Sequence, residues 1–485
     1  MPLQLYNTRT RRVEPFQPLH EGRVSIYVCG LTPSAQAHLG HARSFLFFDI
    51  LRRYLTYKGF QVTYVQNVTD IDDRSIAAAH RLGVSWRDIV AGYYAEFKRS
   101  MQRLGVREPD REPYATEYIP QIRETIAALI ERGYAYVAND GIYYRVRNFE
   151  RYGELSNRNI SELEAGARIE IDEAKEEPLD FALWKFAKPG EPHWPFEPYG
   201  DGRPGWHIEC SAMSHALLDT EGTGFDIHGG GADLIFPHHE NEIAQSEPLM
   251  ARPPMARFWM HGGLLLFDNR KMSKSLGNFE PLCDVLDRYD PQAIRLLFLR
   301  TGYGKVMNFT DEAMAGAIAT LERLRRDYRS LHAAAAGSNG AAVPEGTLMA
   351  RVAAALDDDM NTAAALREVL AAAGSTDEGD APQRLRELRT ALTLLGIEPD
   401  DRWLAQPEAL PLPRGLAAAL RGEIGEPWLD GIDDAQTALE RVVAERLSAR
   451  ANKDWSRSDR LREALFRCGI EIKDGKEGSA WSVVR

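Results

Sequence analysis

The sequence predicts an α/β fold with a parallel sheet, interrupted by an insertion and followed by an α-helical bundle and a small C-terminal α+β domain. A buried strand at Arg23–Cys29, a helix at Ala42–Tyr57 and a second strand at Gln61–Val68 follow one another within about 45 residues. This order is that of a βαβ unit, whose ligand site lies beyond the carboxyl ends of its parallel strands. We therefore expect functional residues in the loops after Val28 and Val68.

Later segments predict the remaining elements in order. Alternating or helical spacing of apolar residues predicts helices at Trp86–Leu104 and Tyr118–Gly133, a strand at Gly141–Val146, helices at Thr310–Ala335, Leu348–Ala373, Ala381–Leu395 and Ala435–Phe466, and a β-like tail at 479–484. A proline-rich stretch up to Pro204 separates the βαβ unit from a resumed α/β pattern over 206–245. The middle of the chain therefore has the pattern of an insertion into the sheet domain.

Composition and charge exclude several classes of protein. Of 485 residues, 44% are hydrophobic and 27% are charged, which excludes wholesale disorder and a fibre. No apolar run reaches the length of a membrane helix, and Met1–Asn7 lacks the features of a signal peptide, so we expect a cytoplasmic protein without membrane contact. The net charge is −12, yet the segment from Glu440 onward carries 11 basic and 8 acidic residues. That asymmetry permits contact with a polyanion at the C-terminus.

Two short motifs point to phosphate chemistry. His38-Leu-Gly-His41 begins the helix after the first strand, where free N–H groups, imidazole donors and the close approach allowed by Gly40 suit a nucleoside triphosphate. Lys271-Met-Ser-Lys-Ser275 offers two lysines that can neutralise phosphate charge when the α–β bond breaks. A simple helix start and a solvated basic turn are the alternatives, but together the two motifs favour phosphate binding.

Four residues have the types and spacing of a zinc site. Cys29 and Cys210 offer thiolates, and His238 and Glu242 are four residues apart, as on one helical turn. His239 is a competing ligand, and Cys29 also fits a core position at a strand end. The other two cysteines, Cys283 and Cys468, match no motif, and we expect them to serve packing.

These motifs resemble the HIGH and KMSKS signatures of the class I aminoacyl-tRNA synthetases. Further blocks are similar to those of cysteinyl-tRNA synthetases, namely Tyr27–Gly30, Asn67–Asp73, Pro204–Cys210, Phe225–Gly231, Phe236–Glu242, Asp359–Thr362 and Lys453-Asp454. The resemblance runs from end to end of the chain. The family usually has Thr-x-Tyr-Asp between its cysteine and its histidine motif, whereas this chain has Thr32-Pro-Ser-Ala35.

The resemblance implies roles for particular residues. It implies one zinc ion on Cys29, Cys210, His238 and Glu242; Mg²⁺-ATP on His38, Gly40, His41, Lys271, Ser273 and Lys274; and a cysteine pocket lined by Gly30, Thr32, Thr69, Trp206, His228 and Asp233. His38, His41, Lys271 and Lys274 would carry catalysis. Trp206 also fits an ordinary core position, and Thr69 fits an ordinary turn.

The implied function is ATP-dependent activation of L-cysteine and its transfer to tRNA(Cys) by a monomer. The implied domains are a Rossmann-like catalytic domain at 1–120 and 201–255, an insertion at 121–200, a stem-contact region at 256–310, a helical bundle at 311–400 and an anticodon-binding domain at 401–485. Alternatives are a paralogous cysteine ligase of mycothiol synthesis, which needs no anticodon domain, and a non-catalytic RNA-binding relative. Intact motifs disfavour the second alternative.

Overall fold

The computed structural model describes residues 2–159, 175–219, 221–271, 279–336, 347–375, 380–405, 412–475 and 478–483. The chain divides into two units, Met1–Trp403 and Leu404–Arg485. The finer domain boundaries expected from the sequence remain predictions. Within the described residues, no helix combines the length and apolar character needed to cross a membrane.

The strands lie mostly in the first unit. They are β1 (Gln4–Asn7), β2 (Arg12–Pro15), β3 (Arg23–Leu31), β4 (Gln61–Val68), β5 (Ala135–Val137), β6 (Gly141–Tyr144), β7 (Phe181–Phe186), β8 (Gly202–Pro204), β9 (Phe225–Gly231), β10 (Ala256–Gly262), β11 (Leu265–Phe267), β12 (Arg270–Lys271) and β13 (Met307–Phe309), with β14 (Ile470–Gly475) and β15 (Gly478–Val483) in the second unit.

The α-helices occur in both units. In chain order they are α1 (Leu39–Tyr57), α2 (Asp73–Leu82), α3 (Trp86–Arg103), α4 (Ile119–Glu131), α5 (Trp206–Leu218), α6 (Glu240–Ser246), α7 (Leu282–Arg288), α8 (Pro291–Leu299), α9 (Asp311–Ala336), α10 (Thr347–Asp357), α11 (Thr362–Ala373), α12 (Ala381–Leu394), α13 (Asp401–Leu404), α14 (Leu416–Ile424), α15 (Ala435–Ala451) and α16 (Trp455–Arg467).

A parallel sheet of strand order β10-β9-β3-β4 organises the first unit. Its central strand β3 pairs Ile26 with Tyr64 of β4 and with Ile227 of β9. The apolar side chains of β3 are buried on both faces of the sheet, as expected for a parallel sheet covered by helices. The predicted α/β fold is therefore confirmed, and the carboxyl ends of β3 and β9 meet at one edge.

An antiparallel sheet interrupts this parallel sheet between β4 and β9. Its strand order is β5-β6-β7-β8, and every neighbouring pair is antiparallel. Antiparallel neighbours do not require a crossover helix, unlike the strands of the parallel sheet. It corresponds to the insertion pattern of the sequence, and α5 leads from it back to β9.

The expected helix at Leu348–Ala373 is two helices, α10 and α11. Asp359 and Met360 between them have positive φ angles of 47° and 53°, which end the first helix. The Asp359 carboxylate accepts hydrogen bonds from the Tyr6 amide at 2.8 Å and from the Tyr303 hydroxyl at 2.9 Å. Long-range contacts therefore hold a turn that the helical spacing of apolar residues does not reveal.

The single helix expected at Ala435–Phe466 is also two helices in the structure, α15 and α16. Its halves α15 and α16 are separated by a turn in which Lys453 has a φ of 61°. Asp454 then caps α16 by accepting a hydrogen bond from the Arg457 amide at 3.0 Å. The two helices pack with α14 and the β14–β15 hairpin around a separate core that includes Leu420, Leu439 and Leu465.

Candidate active site

Four buried side chains converge where β3 ends and α5 and α6 begin. Cys29 lies near the carboxyl end of β3, and Cys210 lies in the second turn of α5. Their sulfur atoms are 3.6 Å apart, and the Cys29 sulfur is 3.5 Å from Glu242 Oε1. His238 Nε2 is 3.1 Å from the same carboxylate oxygen. One ligand atom from each residue lies within 4.8 Å of the other three, so the four side chains are close enough to share one metal ion.

His239 and His228 form a second group with Cys29 and Glu242, and its ligand atoms are equally close. His239 Nε2 is 3.3 Å from the Cys29 sulfur, and His228 Nε2 is 2.9 Å from Glu242 Oε2. The first group contributes two sulfur atoms and the second only one. Two thiolates with one imidazole and one carboxylate suit zinc better than the nitrogen-rich alternative.

Neighbouring side chains orient both candidate histidines. The second ring nitrogen of His238 is 2.9 Å from His207 Nδ1, and that of His239 is 2.8 Å from His261 Nε2. His261 in turn contacts the Thr8 hydroxyl at 2.8 Å. Such outer contacts fix which nitrogen can face a metal ion.

Electrostatics keep negative charge in this buried cluster. Burial raises the pKa of Glu242, but His228 and His238 outweigh it and lower that pKa to about 2. A hydrogen bond from Cys29 lowers the pKa of Cys210 to about 6, whereas burial raises the pKa of Cys29. The Glu242 carboxylate thus stays ionised in this buried cluster, and Cys210 is the cysteine whose thiol ionises more readily.

A cleft of about 280 Å³ opens beside this cluster. Among the predicted site residues, those that line it are Cys29, Gly30, Thr32, His38, Gly40, His41, Trp206 and Asp233. The Trp206 ring packs on the His238 ring with centroids 4.4 Å apart, so the wall of the cleft contacts the metal cluster. Asp233 is exposed and close enough to His38 to oppose the lowering of its pKa.

Gly30 allows β3 and β4 to approach each other at the cleft. A Cβ atom at Gly30 would lie 1.5 Å from the Asn67 carbonyl oxygen. The Asn67 side chain accepts a hydrogen bond from the Gly30 amide at 2.8 Å and donates one to the Thr69 hydroxyl at 3.2 Å. Thr69 and His228 are both buried: Thr69 accepts the hydrogen bond from Asn67, and His228 contacts Glu242. Their expected roles in a cysteine pocket remain predictions.

The two histidines of the His38–His41 motif stack at the start of α1. His38 Nδ1 accepts a hydrogen bond from the Gly40 amide at 3.1 Å, and His41 Nδ1 accepts one from the His38 amide at 3.2 Å. A Cβ atom at Gly40 would lie 2.9 Å from the His38 ring. Burial lowers the pKa of both rings, that of His41 to about 3. Both are thus neutral near pH 7, with Nε2 carrying the proton.

Part of the second motif lies outside the described residues. The backbone of Lys271 ends β12 and pairs with Leu266 of β11. Ser273 and Lys274 belong to the segment 272–278, which the structure does not describe. The roles expected for these residues remain predictions.

Sequence reasoning missed Arg74, His207, His261 and Thr8. Arg74 lines the cleft, and the other three belong to the hydrogen-bond chains behind His238 and His239. Arg74 follows the block Asn67–Asp73 and His207 lies inside the block Pro204–Cys210, so proximity to these blocks was an available signal. Thr8 and His261 carry no such signal, because they meet only in the fold, where the Thr8 amide donates to the Trp259 carbonyl oxygen at 2.8 Å.

Comparisons with known proteins agree with this geometry. A family model described as the tRNA synthetases class I (C) catalytic domain matches residues 15–319. The cysteine–tRNA ligase of Desulfotalea psychrophila is 42% identical over 100% of both chains, and that of Chromohalobacter salexigens is 43% identical over 99% of each.

Solved structures share the fold at low identity. Mycobacterium tuberculosis methionyl-tRNA synthetase in complex with methionyl-adenylate has a TM-score of 0.54 at 15% identity and covers 77% of this chain and 89% of its own. The Agrobacterium radiobacter LeuRS-tRNA-LeuAMS complex has a TM-score of 0.59 at 11% identity, covering 80% and 88%. The family model spans more than half of the chain, and the curated relatives match it throughout. The chain therefore belongs to the cysteinyl-tRNA synthetases, a family of ligases among the class I aminoacyl-tRNA synthetases.

Proposed function

We propose that this chain activates L-cysteine with ATP to form cysteinyl-adenylate and then transfers the cysteinyl group to tRNA(Cys), as a monomer in the cytoplasm. The observation that carries the proposal is one cleft that joins a buried S₂NO cluster to a pair of neutral histidines at a helix N-terminus. The cluster suits recognition of a thiol, and the histidine pair suits recognition of phosphate.

The donor atoms of Cys29, Cys210, His238 and Glu242 fit zinc, because all four are buried and close enough to share one ion. A zinc ion held there supplies an affinity for the thiolate of cysteine that the hydroxyl of serine does not match. The chain itself holds the ligand geometry through His207 behind His238. A site built around one such partner rejects an isostere more strongly than a size-based pocket does.

The histidine motif supplies donors for the phosphates. Because both Nδ1 atoms accept backbone hydrogen bonds, the neutral rings of His38 and His41 carry their protons on Nε2. These Nε2–H groups lie at the positive end of the α1 helix dipole and can bind phosphate oxygens of Mg²⁺-ATP. Lys271 and Lys274 are proposed to neutralise the charge that develops on the departing pyrophosphate.

The second unit is the proposed site of tRNA recognition. The sequence predicts a basic helix face formed by Arg441, Arg446, Arg450, Lys453, Arg457 and Arg460. Arg446 is 1% exposed and pairs with Asp474 at 2.7 Å, so it serves the fold instead. Arg450 also pairs with Asp474, at 2.9 Å, but its side chain remains partly exposed, and its guanidinium lies 5.7 Å from the centre of the exposed Trp455 ring. Arginine beside an exposed aromatic ring suits an unstacked RNA base.

Cysteine-dependent exchange between pyrophosphate and ATP tests the proposal directly. Purified protein should catalyse exchange with cysteine and show no measurable exchange with serine, and it should charge tRNA(Cys). Charging of an amino sugar instead of tRNA would favour the mycothiol alternative, but the match to the curated relatives extends over the second unit and favours tRNA. Absence of cysteine-dependent exchange would contradict the proposed function.

A further inference from the structure

Arg74 is a cleft residue to which the sequence motifs assign no role. It occupies the second position of α2 and lines the same cleft as His38 and His41. Its guanidinium carbon lies 5.9 Å from the centre of the Trp206 ring. Trp206 packs on His238, so Arg74 lies next to the part of the cleft wall that contacts the metal cluster.

The position of this guanidinium is constrained although its side chain is 61% exposed. Arg74 Nε donates to Asp72 Oδ1 at 2.9 Å, and the Arg74 amide donates to the same oxygen at 2.9 Å. The first residue of α2, Asp73, forms ion pairs with Lys185 of β7 and Arg203 of β8. The antiparallel sheet therefore holds the start of α2 at the cleft, and Asp72 aligns the arginine there.

Arg74 differs in charge from the other polar side chains of the cleft. His38 and His41 are neutral near pH 7 because burial lowers the pKa of each, and Asp233 is acidic. Among the described residues that line the cleft, Arg74 is the one whose side chain carries a permanent positive charge. Its charge is close enough to His41 to contribute to lowering the pKa of that ring.

The proposed reaction brings two anions together at this place. The carboxylate of cysteine must approach the α-phosphate of ATP, and both groups are negatively charged. Neutral imidazoles donate hydrogen bonds to phosphate but do not offset this repulsion, whereas a guanidinium can bind oxygen atoms of two anions in its plane. Arg74 lies beside Trp206 on the side of the metal cluster and near His41 on the side of the phosphates.

We propose that Arg74 is a further catalytic residue, which binds the cysteine carboxylate and the α-phosphate as they join to form the acyl-phosphate of the adenylate. The inference depends on the proposed function, since it assigns a group within that same site. In the step itself, a carboxylate oxygen bonds to the α-phosphorus, the α–β bond breaks and pyrophosphate leaves with its electron pair. Arg74 exchanges no proton and acts through charge and hydrogen bonds.

The alternative is that Arg74 only forms a surface ion pair with Asp72, the N-cap residue of α2, and has no role in the reaction. Replacement by glutamine and by lysine separates the two. Arg74→Gln should lower kcat for cysteine-dependent pyrophosphate exchange about 30- to 300-fold, and Arg74→Lys should restore part of it because the charge returns without the planar donor pair. Arg81→Gln, an exposed arginine in the last turn of the same helix, is the matched control and should keep kcat unchanged.

Further measurements distinguish a catalytic role of Arg74 from effects on folding, metal binding or tRNA binding. Thermal unfolding and zinc content should stay the same in Arg74→Gln, because the side chain is exposed and the Asp72 cap does not need it. Exchange by Arg74→Gln equal to that of the unaltered protein would overturn the inference. A loss confined to single-turnover transfer from adenylate to tRNA would also overturn it and assign Arg74 to an RNA phosphate. Absence of exchange in the unaltered protein would contradict the proposed function itself.

Discussion

Cys29 and Cys210 illustrate how single residues acquire chemistry from their surroundings. They are 181 positions apart in the chain, and their sulfur atoms are 3.6 Å apart in the fold. Cys283 and Cys468 are only partly buried and do not belong to the candidate metal clusters found among the described residues. The difference between these two pairs lies in the converging His238 and Glu242, since a cysteine by itself does not define a site.

Cys210→Ser should remove most of the zinc, because a hydroxyl is a poor substitute for a thiolate ligand. The purified protein should contain about one zinc per chain by elemental analysis, and Cys283→Ser should retain it as the matched control. In cobalt-substituted protein, cysteine should strengthen the sulfur-to-metal charge-transfer absorption and serine should not. A cobalt spectrum indifferent to cysteine would make the metal purely structural.

Gly30→Ala should destabilise the protein by about 2–4 kcal/mol, because its Cβ would overlap the Asn67 carbonyl oxygen and force β3 and β4 apart. Denaturant unfolding measures the change. Gly92→Ala is the control: no atom lies within 4 Å of its added Cβ, and alanine should stabilise the interior of α3 by about 1 kcal/mol. Equal effects of the two substitutions would show that the β3–β4 contact is not tight.

Arg43, in the second turn of α1, connects this helix to the loops before β11 and β13. It is 5% exposed, and its guanidinium donates to the carbonyl oxygens of Gly263 and Leu264 at 2.9 Å and of Lys305 at 2.5 Å. These carbonyls belong to the loops before β11 and β13, and β11 pairs with β12, which ends at Lys271. One side chain thus connects the helix of the histidine motif with the strands that lead to the lysine motif.

Arg43→Lys should therefore impair both stability and activation. The lysine ammonium cannot reach all the carbonyl oxygens that the planar guanidinium binds, so some of these buried carbonyls lose their partners. We expect the free energy of unfolding, measured with denaturant, to fall by about 2–4 kcal/mol. We also expect a lower kcat for pyrophosphate exchange with little change in the KM for cysteine. The control is Arg52→Lys, since Arg52 lies on the same helix as Arg43 and pairs with the partly exposed Asp110. This substitution should cost less than about 1 kcal/mol. Comparable losses in the two variants would contradict the role of Arg43.

At the scale of the whole molecule, the two units have separate hydrophobic cores. Residues that include Leu420, Leu439 and Leu465 form the core of Leu404–Arg485, whereas the parallel sheet has its own clusters. The predicted metal ligands and the described part of the cleft all lie within Met1–Trp403. Activation of cysteine and recognition of tRNA can accordingly reside in different units.

A chain that ends at Trp403 should retain cysteine-dependent pyrophosphate exchange within about threefold and lose at least about tenfold in kcat/KM for tRNA charging. The reason is that the truncation keeps every described cleft residue and removes the unit with the partly exposed Arg450 and Trp455. Circular dichroism and zinc content serve as controls for folding. Equal loss of both activities in a folded truncation would mean that the second unit supports the catalytic one.

The sequence by itself determined the features that depend on neighbours along the chain. The βαβ unit, the position of His38–His41 at a helix start and the spacing of His238 and Glu242 all follow from periodicity and local chemistry. Such patterns report contacts within one or two turns or along one strand. They do not report which distant segments meet.

The tertiary structure alone decided the contacts between distant segments. Strand order placed His228 against Glu242, and the fold buried Arg446 against Asp474 instead of leaving it on an exposed helix face. Contacts from Tyr6 and Tyr303 broke one expected helix at Asp359. In each case the outcome depends on groups brought together across the fold, whose free energy of interaction has no counterpart in local spacing.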